Sequence, residues 1–229
     1  MRKRIKPIVV YVVLALLGLA LVIANIHNTS KQQAHLQNVK SAIPYATTPK
    51  TTTSSTSSSS DEELILNPII DLSGWQLPQD IDYDVLSNHI SGAIIRVFGG
   101  SQISKDSNAA SSNGVDKSFK THIKELKKRD VPVAVYSYAQ GTSVKEMKEE
   151  ARIFYKNASP YKPTYYWIDV EEETMSNMEQ GVQAFLAELK RLGAENVGLY
   201  IGAYFMLEQE VSTKNFDAVW IPAYGTDSG

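Results

Sequence analysis

Tyr165-Tyr166-Trp167-Ile168-Asp169-Val170-Glu171-Glu172-Glu173 begins aromatic and apolar and ends in acid. In an extended chain, successive side chains point to opposite faces, and residues two apart lie about 6.5–7 Å from one another. Tyr165, Trp167, Asp169 and Glu171 therefore share one face, and Ile168 and Val170 share the other, the side that covering helices would bury. Parallel α/β folds gather their active sites at the carboxyl ends of such strands.

Working outward, five more short runs have the same character: 68–73, 92–98, 131–139, 197–203 and 218–224. Each is rich in β-branched or aromatic residues and bounded by Pro, Gly or polar residues. Helical patterns separate them. Val115, Phe119, Ile123 and Leu126 share one helical face, and Val144, Met147, Ala151, Phe154, Tyr155 and Ala158 share another. Ser143 and Glu146 have capping-box spacing. Met178, Val182, Phe185, Leu186, Leu189 and Leu192 form a third face, with Ser176 and Glu179 suited to its start and Gly193 to its end. Strands alternating with helices imply right-handed crossovers and a parallel sheet. A doubly wound sheet and a barrel both satisfy this pattern.

The 229 residues divide by composition. Arg2, Lys3, Arg4 and Lys6 precede an uncharged run from Ile8 to Ile26, long enough at about 1.5 Å per residue to span a bilayer core of about 30 Å. Residues 1–27 are thus expected to form a transmembrane anchor with its N-terminus in the cytoplasm. The rival, a cleaved signal peptide, has a shorter apolar core and an Ala-x-Ala exit, which Ala24-Asn25-Ile26-His27 does not supply. Either reading exports the rest. Residues 28–63 read as a linker, nearly all Ser, Thr, Pro and Lys from Thr47 to Ser60, with too little apolar surface to order itself. Residues 64–229 are the folded domain.

Of the 23 Lys/Arg and 25 Asp/Glu, seven and three fall in residues 1–63, leaving the folded part with 16 and 22. That acidic balance argues against nucleic acid as a partner. With no Cys, disulfide scaffolds and Cys-ligated metals are excluded. Gly99-Gly100 lacks the Lys and Ser/Thr of a phosphate loop. His89 and His122 have no partner at ligand spacing and read as surface residues, so neither a metal nor a cofactor is expected.

The chemistry suggested by Asp169 and Glu171, joined by Asp71 if its strand lies close, is glycoside hydrolysis. One carboxyl must hold a proton for the leaving oxygen while another, ionised, faces the oxocarbenium-like centre. Crowding and apolar cover push such pKa values apart. Trp75, Trp167, Tyr138, Tyr200, Tyr204 and Tyr224 offer flat faces for sugar rings. The plainer readings stand beside these: a strand-end Asp as a turn or cap, Glu171-Glu172-Glu173 as a solvated loop, the aromatics as core, and Arg96 as the partner of a structural carboxylate.

Asp71-Leu72-Ser73-Gly74-Trp75-Gln76 resembles the opening motif of glycoside hydrolase family 25 muramidases, and Tyr166-Trp167-Ile168-Asp169-Val170-Glu171 resembles their central Asp-x-Glu strand. Ala93-Ile94-Ile95-Arg96, Val133-Ala134-Val135-Tyr136-Ser137-Tyr138 and Trp220-Ile221-Pro222-Ala223-Tyr224-Gly225 are similar to further strands of that family, in the same order. The resemblance implies an irregular TIM-like (β/α) barrel that hydrolyses the β-1,4 bond between N-acetylmuramic acid and N-acetylglucosamine. Glu171 would be the general acid/base, Asp169 the nucleophile or electrostatic stabiliser, and Asp71 a sugar-orienting carboxylate, with Arg96 and the six aromatics binding substrate. Either an enzyme carboxylate or the substrate's acetamido group attacks. The expected partner is peptidoglycan, and the expected state is a monomer, tethered by a single-pass anchor outside the bacterial membrane or secreted if the N-terminus is cleaved. Six strands are counted where closure needs about eight, and the family's later Gln-Tyr and Asp-x-Asn motifs do not follow. An incomplete barrel is therefore expected, with a non-catalytic peptidoglycan-binding module as the alternative function.

Overall fold

The computed structural model describes residues 67–222. The anchor and linker expected over residues 1–63 lie outside the described residues, as does Tyr224. Among the described residues no helix is long and apolar enough to cross a membrane.

Six strands form one sheet: β1 (Ile69–Leu72), β2 (Gly92–Phe98), β3 (Val133–Tyr138), β4 (Tyr166–Val170), β5 (Val197–Ile201) and β6 (Ala218–Trp220). Their spatial order is their sequence order, and every neighbouring pair is parallel. This decides between the two candidate architectures. A doubly wound sheet reverses its order at a switch point, and so covers both faces with helices. An unreversed order carries every right-handed crossover to the same side. The result is a curled, six-stranded parallel half-barrel.

The helices are α1 (Tyr83–Ser87), α2 (Phe119–Lys127), α3 (Val144–Ala158), α4 (Met178–Leu192) and α5 (Ala203–Glu208). Phe119, Ile123 and Leu126 of α2, Met147 and Phe154 of α3, and Val182, Phe185 and Leu189 of α4 are buried in one core. They pack with Ile95, Val97, Val135, Ile168, Val170, Val197, Leu199 and Ile201, the outward-alternating residues of the strands, each fully enclosed.

Helix ends follow the local chemistry, with three corrections to the sequence reading. Ser143 caps α3, accepting from the Glu146 N–H, and Gly193 ends α4 at φ 105°. The cap of α4, however, is Asn177 rather than Ser176; its side-chain oxygen accepts from Gln180 N–H at 2.8 Å. Glu179 instead accepts from the Ser212 N–H at 2.8 Å, tying α4 to the segment before β6. Val115 lies before α2, pairing with Phe98 across an antiparallel bridge. His122 is fully buried rather than on the surface. One turn along α2 from Phe119 and Leu126, it falls on the core face, where Tyr83 Oη (2.6 Å) and Ser73 O (3.2 Å) satisfy its two ring nitrogens. His89 is exposed, as expected.

Candidate active site

The inward-alternating residues of the same strands form a cavity of about 390 Å³. Asp71, Ile94, Tyr136, Trp167, Asp169, Glu171, Tyr200, Trp220 and Pro222 line it. The parallel register arranges them in rows. Tyr138, Asp169, Tyr200 and Trp220 are successive neighbours across β3 to β6, and one layer below, Arg96, Tyr136, Trp167 and Gly198 run from β2 to β5. The acidic end of β4 and the carboxylate of β1 thus meet at the mouth of a half-barrel.

Aromatic rings make one wall. Trp220 stands edge-on to Tyr200 (5.1 Å between centroids) and to Trp167 (6.2 Å), and Trp167 stacks on Tyr165 at 5.8 Å. Gly198 makes this possible: a Cβ there would lie 2.4 Å from the Trp167 ring. The indole therefore lies against bare backbone.

Asp169 is only 8% exposed, and its Oδ1 has no hydrogen-bond partner among the described residues. Burial, then the charge of Glu171 and a hydrogen bond with it, then Asp71, push its carboxyl up to about 8; Arg96 opposes the shift. A carboxyl group so placed keeps its proton at neutral pH. Glu171, past the end of β4, is exposed to the cavity mouth. Burial also raises the Tyr136 and Tyr138 hydroxyls, Tyr138 further through the charge of Glu172 and a hydrogen bond with it.

The structure brings together Asp71, Asp169, Glu171, Trp167 and Tyr200 of the expected residues. It places the others differently. Arg96 is on the inner face but gives its Nε–H to Asp116 at 3.0 Å, the carboxylate partner expected of a half-buried Arg. Tyr138 neighbours Asp169 in register, outside the cavity lining. Trp75, 63% exposed on the turn after β1, and Tyr204, exposed on α5, stand apart from the lining. Sequence reasoning missed Tyr136, although it shares a face with Tyr138, and Trp220, which sits in a motif already singled out. Among the described residues no group of three or more His, Asp or Glu is placed to hold a metal ion.

Opposed carboxylates beside an aromatic wall, at the carboxyl end of a parallel half-barrel, define a glycoside-hydrolase type of site. The sequence profile described as Glycosyl hydrolases family 25 matches residues 70–229, and the chain belongs to that family. Among solved structures it is similar to GHIP, a glycosyl hydrolase 25 and virulence factor of Streptococcus pneumoniae participating in host cell invasion. Identity is 57%, over 71% of each chain, with a TM-score of 0.68. The catalytic domain of endolysin ply40, from bacteriophage P40 of Listeria monocytogenes, is 26% identical over 70% of this chain and 75% of that one, with a TM-score of 0.59. The modular Cpl-1 endolysin, solved with a peptidoglycan analogue, shares the fold at 18% identity and a TM-score of 0.52, over 70% of this chain and 45% of that one. No curated protein matches the chain.

Proposed function

We propose that residues 64–229 form a muramidase domain that hydrolyses the β-1,4 bond between N-acetylmuramic acid and N-acetylglucosamine in peptidoglycan. The observation that carries this is the Asp169–Glu171 pair, one member buried, with its carboxyl pushed up by burial and by its neighbour, the other at the cavity mouth. The proton held between Asp169 and Glu171 leaves through Glu171 for the glycosidic oxygen as the bond from that oxygen to the anomeric carbon breaks. The pair, one positive charge poorer, faces the oxocarbenium-like centre and stabilises it. A water molecule then bonds through its oxygen to the anomeric carbon and gives its released proton back to the pair through Glu171. Asp71, across the cavity on β1, orients the reacting sugar, and Trp167, Tyr200 and Trp220 receive its neighbours.

Family membership and the likeness to GHIP and to the ply40 catalytic domain support this reading. The basic residues ahead of the uncharged run from Ile8 to Ile26 support an anchor over residues 1–27, with the domain outside the bacterial membrane on a linker of residues 28–63.

The test is release of reducing sugar from purified peptidoglycan by the full chain. Glu171→Gln is expected to lower turnover about 100- to 10,000-fold, the range of a general acid. Undiminished release by that variant would overturn the acid assignment. Binding without release by the wild-type chain would overturn the muramidase reading.

A further inference from the structure

One buried carboxylate stands behind the site and has no part in the chemistry above. Asp116 lies before α2 with its side chain fully enclosed. Oδ1 accepts from the backbone N–H groups of Ser118 (2.8 Å) and Phe119 (3.2 Å). Oδ2 accepts from the N–H of Gly74 (2.7 Å) and from Nε–H of Arg96 (3.0 Å). The first two bonds brace the residues that lead into α2. The other two reach the turn that follows Asp71 and the cation of β2.

That turn is gripped from several sides. Asp116 N–H donates to Val97 O at 3.0 Å, and Lys117 N–H donates to Ala109 O at 2.9 Å. This sets Ala109 against Gly74 so closely that a Cβ on Gly74 would stand 2.1 Å from the Ala109 oxygen. His122 Nε2 meets Ser73 O at 3.2 Å. Arg96, on the inner face beside Tyr136, forms its ion pair with Asp116 among the described residues. The groups around Asp169 are Asp71 from β1, Arg96 from β2, Tyr136 and Tyr138 from β3, Glu171 just past the end of β4 and Tyr200 from β5. Arg96 is the cation in this set.

We propose that Asp116 is a positioning residue for the carboxylate cluster, fixing the Arg96 guanidinium at a set distance from Asp169 and holding the turn that follows Asp71. It touches no substrate and acts through Arg96. Its effect on turnover rests on the muramidase reading; its effect on the cluster's ionisation does not.

The experiment uses the full chain and two readouts. The first is the titration of Asp169 by NMR with carboxyl-13C aspartate, and the second is the pH profile of reducing-sugar release. Arg96→Gln removes the cation while leaving Asp116 its three backbone donors, and is expected to raise the apparent pKa of Asp169 by about half a unit or more. Asp116→Asn does the reverse. Whichever way the amide is turned, Arg96 loses its counter-charge: the NH2 either faces Arg96 and Gly74, or faces the Ser118 and Phe119 N–H groups and leaves Arg96 only a neutral oxygen. The guanidinium then closes on the carboxylate cluster, lowering the apparent pKa of Asp169 and moving the pH profile to lower pH. Turnover falls about 10-fold while KM stays within about 3-fold, the signature of lost transition-state geometry. The double variant is expected to titrate like Arg96→Gln alone, because Asp116 acts through Arg96.

A plain brace at the start of α2 would lower the melting temperature and leave Asp169 titrating as in the wild type. A folded Asp116→Asn with Asp169 within about 0.2 unit of wild type, or a double variant whose shift is the sum of the two singles, would overturn the proposal. If Asp116→Asn does not fold, Arg96→Gln decides, since an unmoved Asp169 titration there has the same consequence. A wild-type chain that leaves peptidoglycan uncut removes the muramidase reading, and the NMR titration still judges Asp116.

Discussion

On β4, Ile168 and Val170 are completely enclosed against the helices, while Trp167 and Asp169, one residue away along the same strand, face the cavity. The alternation repeats on β2, where Ile95 and Val97 face outward and Ile94 and Arg96 inward. On β5, Leu199 and Ile201 oppose Gly198 and Tyr200. The outer face is uniformly apolar and close-packed, so it carries stability. The inner face holds a buried acid whose carboxyl is pushed up, with one oxygen left without a partner among the described residues, a cation and a row of partly exposed rings, features that cost stability and serve chemistry. One sheet thus separates the two demands by strand periodicity alone.

The largest expected effect comes from breaking the inner face. Asp169→Asn is expected to lower turnover on peptidoglycan about 100- to 10,000-fold while making the domain more stable under alkaline conditions. The sign follows from proton binding. The folded state holds the Asp169 proton up to about pH 8, whereas an unfolded Asp releases it near its ordinary value of 3.8. Between those values the folded state binds more protons, so its stability falls as pH rises through the window. Thermal unfolding at about pH 5 and about pH 8 should show the wild type losing more stability between the two than the variant does. An equal pH dependence in the two proteins would mean that Asp169 is not held protonated.

Breaking the outer face should do the opposite. Ile168→Ala removes a fully enclosed side chain beside the same Asp169, at a cost of about 2–5 kcal/mol, or roughly 10 °C in melting temperature for a domain of this size. Turnover measured well below the transition is expected to stay within about 3-fold of wild type, because no group facing the cavity is altered. A collapse in turnover without a fall in melting temperature would erase the distinction between the faces.

Periodicity explains what the sequence revealed and what it hid. The strands, the three long helices and the convergence of Asp169 and Glu171 are local patterns of period two or 3.6, legible without a fold. Periodicity left the choice between doubly wound sheet and barrel open, because it depends on the order of strands in space; the resemblance of the strand motifs to family 25 pointed to the barrel. Asp116 meets Gly74 across 42 positions and Arg96 across 20, and nothing beside it in sequence announces either contact. His122 was legible from its helical phase with Phe119 and Leu126, but a lone polar residue was read by type rather than by position.

A subtler break lies within the inner face. Gly198→Ala puts a methyl group where the Trp167 ring lies, 2.4 Å away. The clash is with a ring at the cavity wall rather than with the core, so overpacking of about 1–3 kcal/mol is relieved by displacing the indole. KM for peptidoglycan is expected to rise about 3- to 10-fold with turnover changed less, since a displaced wall weakens ground-state and transition-state binding alike. Tryptophan fluorescence should report the movement directly. Unchanged emission and unchanged KM would show that the ring can stay in place and that Gly198 is dispensable.

The smallest effect is expected at Trp75. Among the described residues it is the most exposed of the expected sugar-binding aromatics, on the turn after β1, where its backbone N–H donates to Ser73 Oγ at 3.3 Å. That bond needs no indole, so Trp75→Ala leaves the turn intact and the melting temperature within about 1–2 °C, as for a surface site. Because the ring stands outside the cavity lining, it can meet only glycan that extends beyond the reacting pair of sugars. Polymeric peptidoglycan should therefore show a KM about 2- to 3-fold higher, within the range of one exposed aromatic contact, and a short oligosaccharide no change. Equal losses on both substrates would place Trp75 against the reacting sugars, and the division between a cavity-lining wall and an outlying ring would fail.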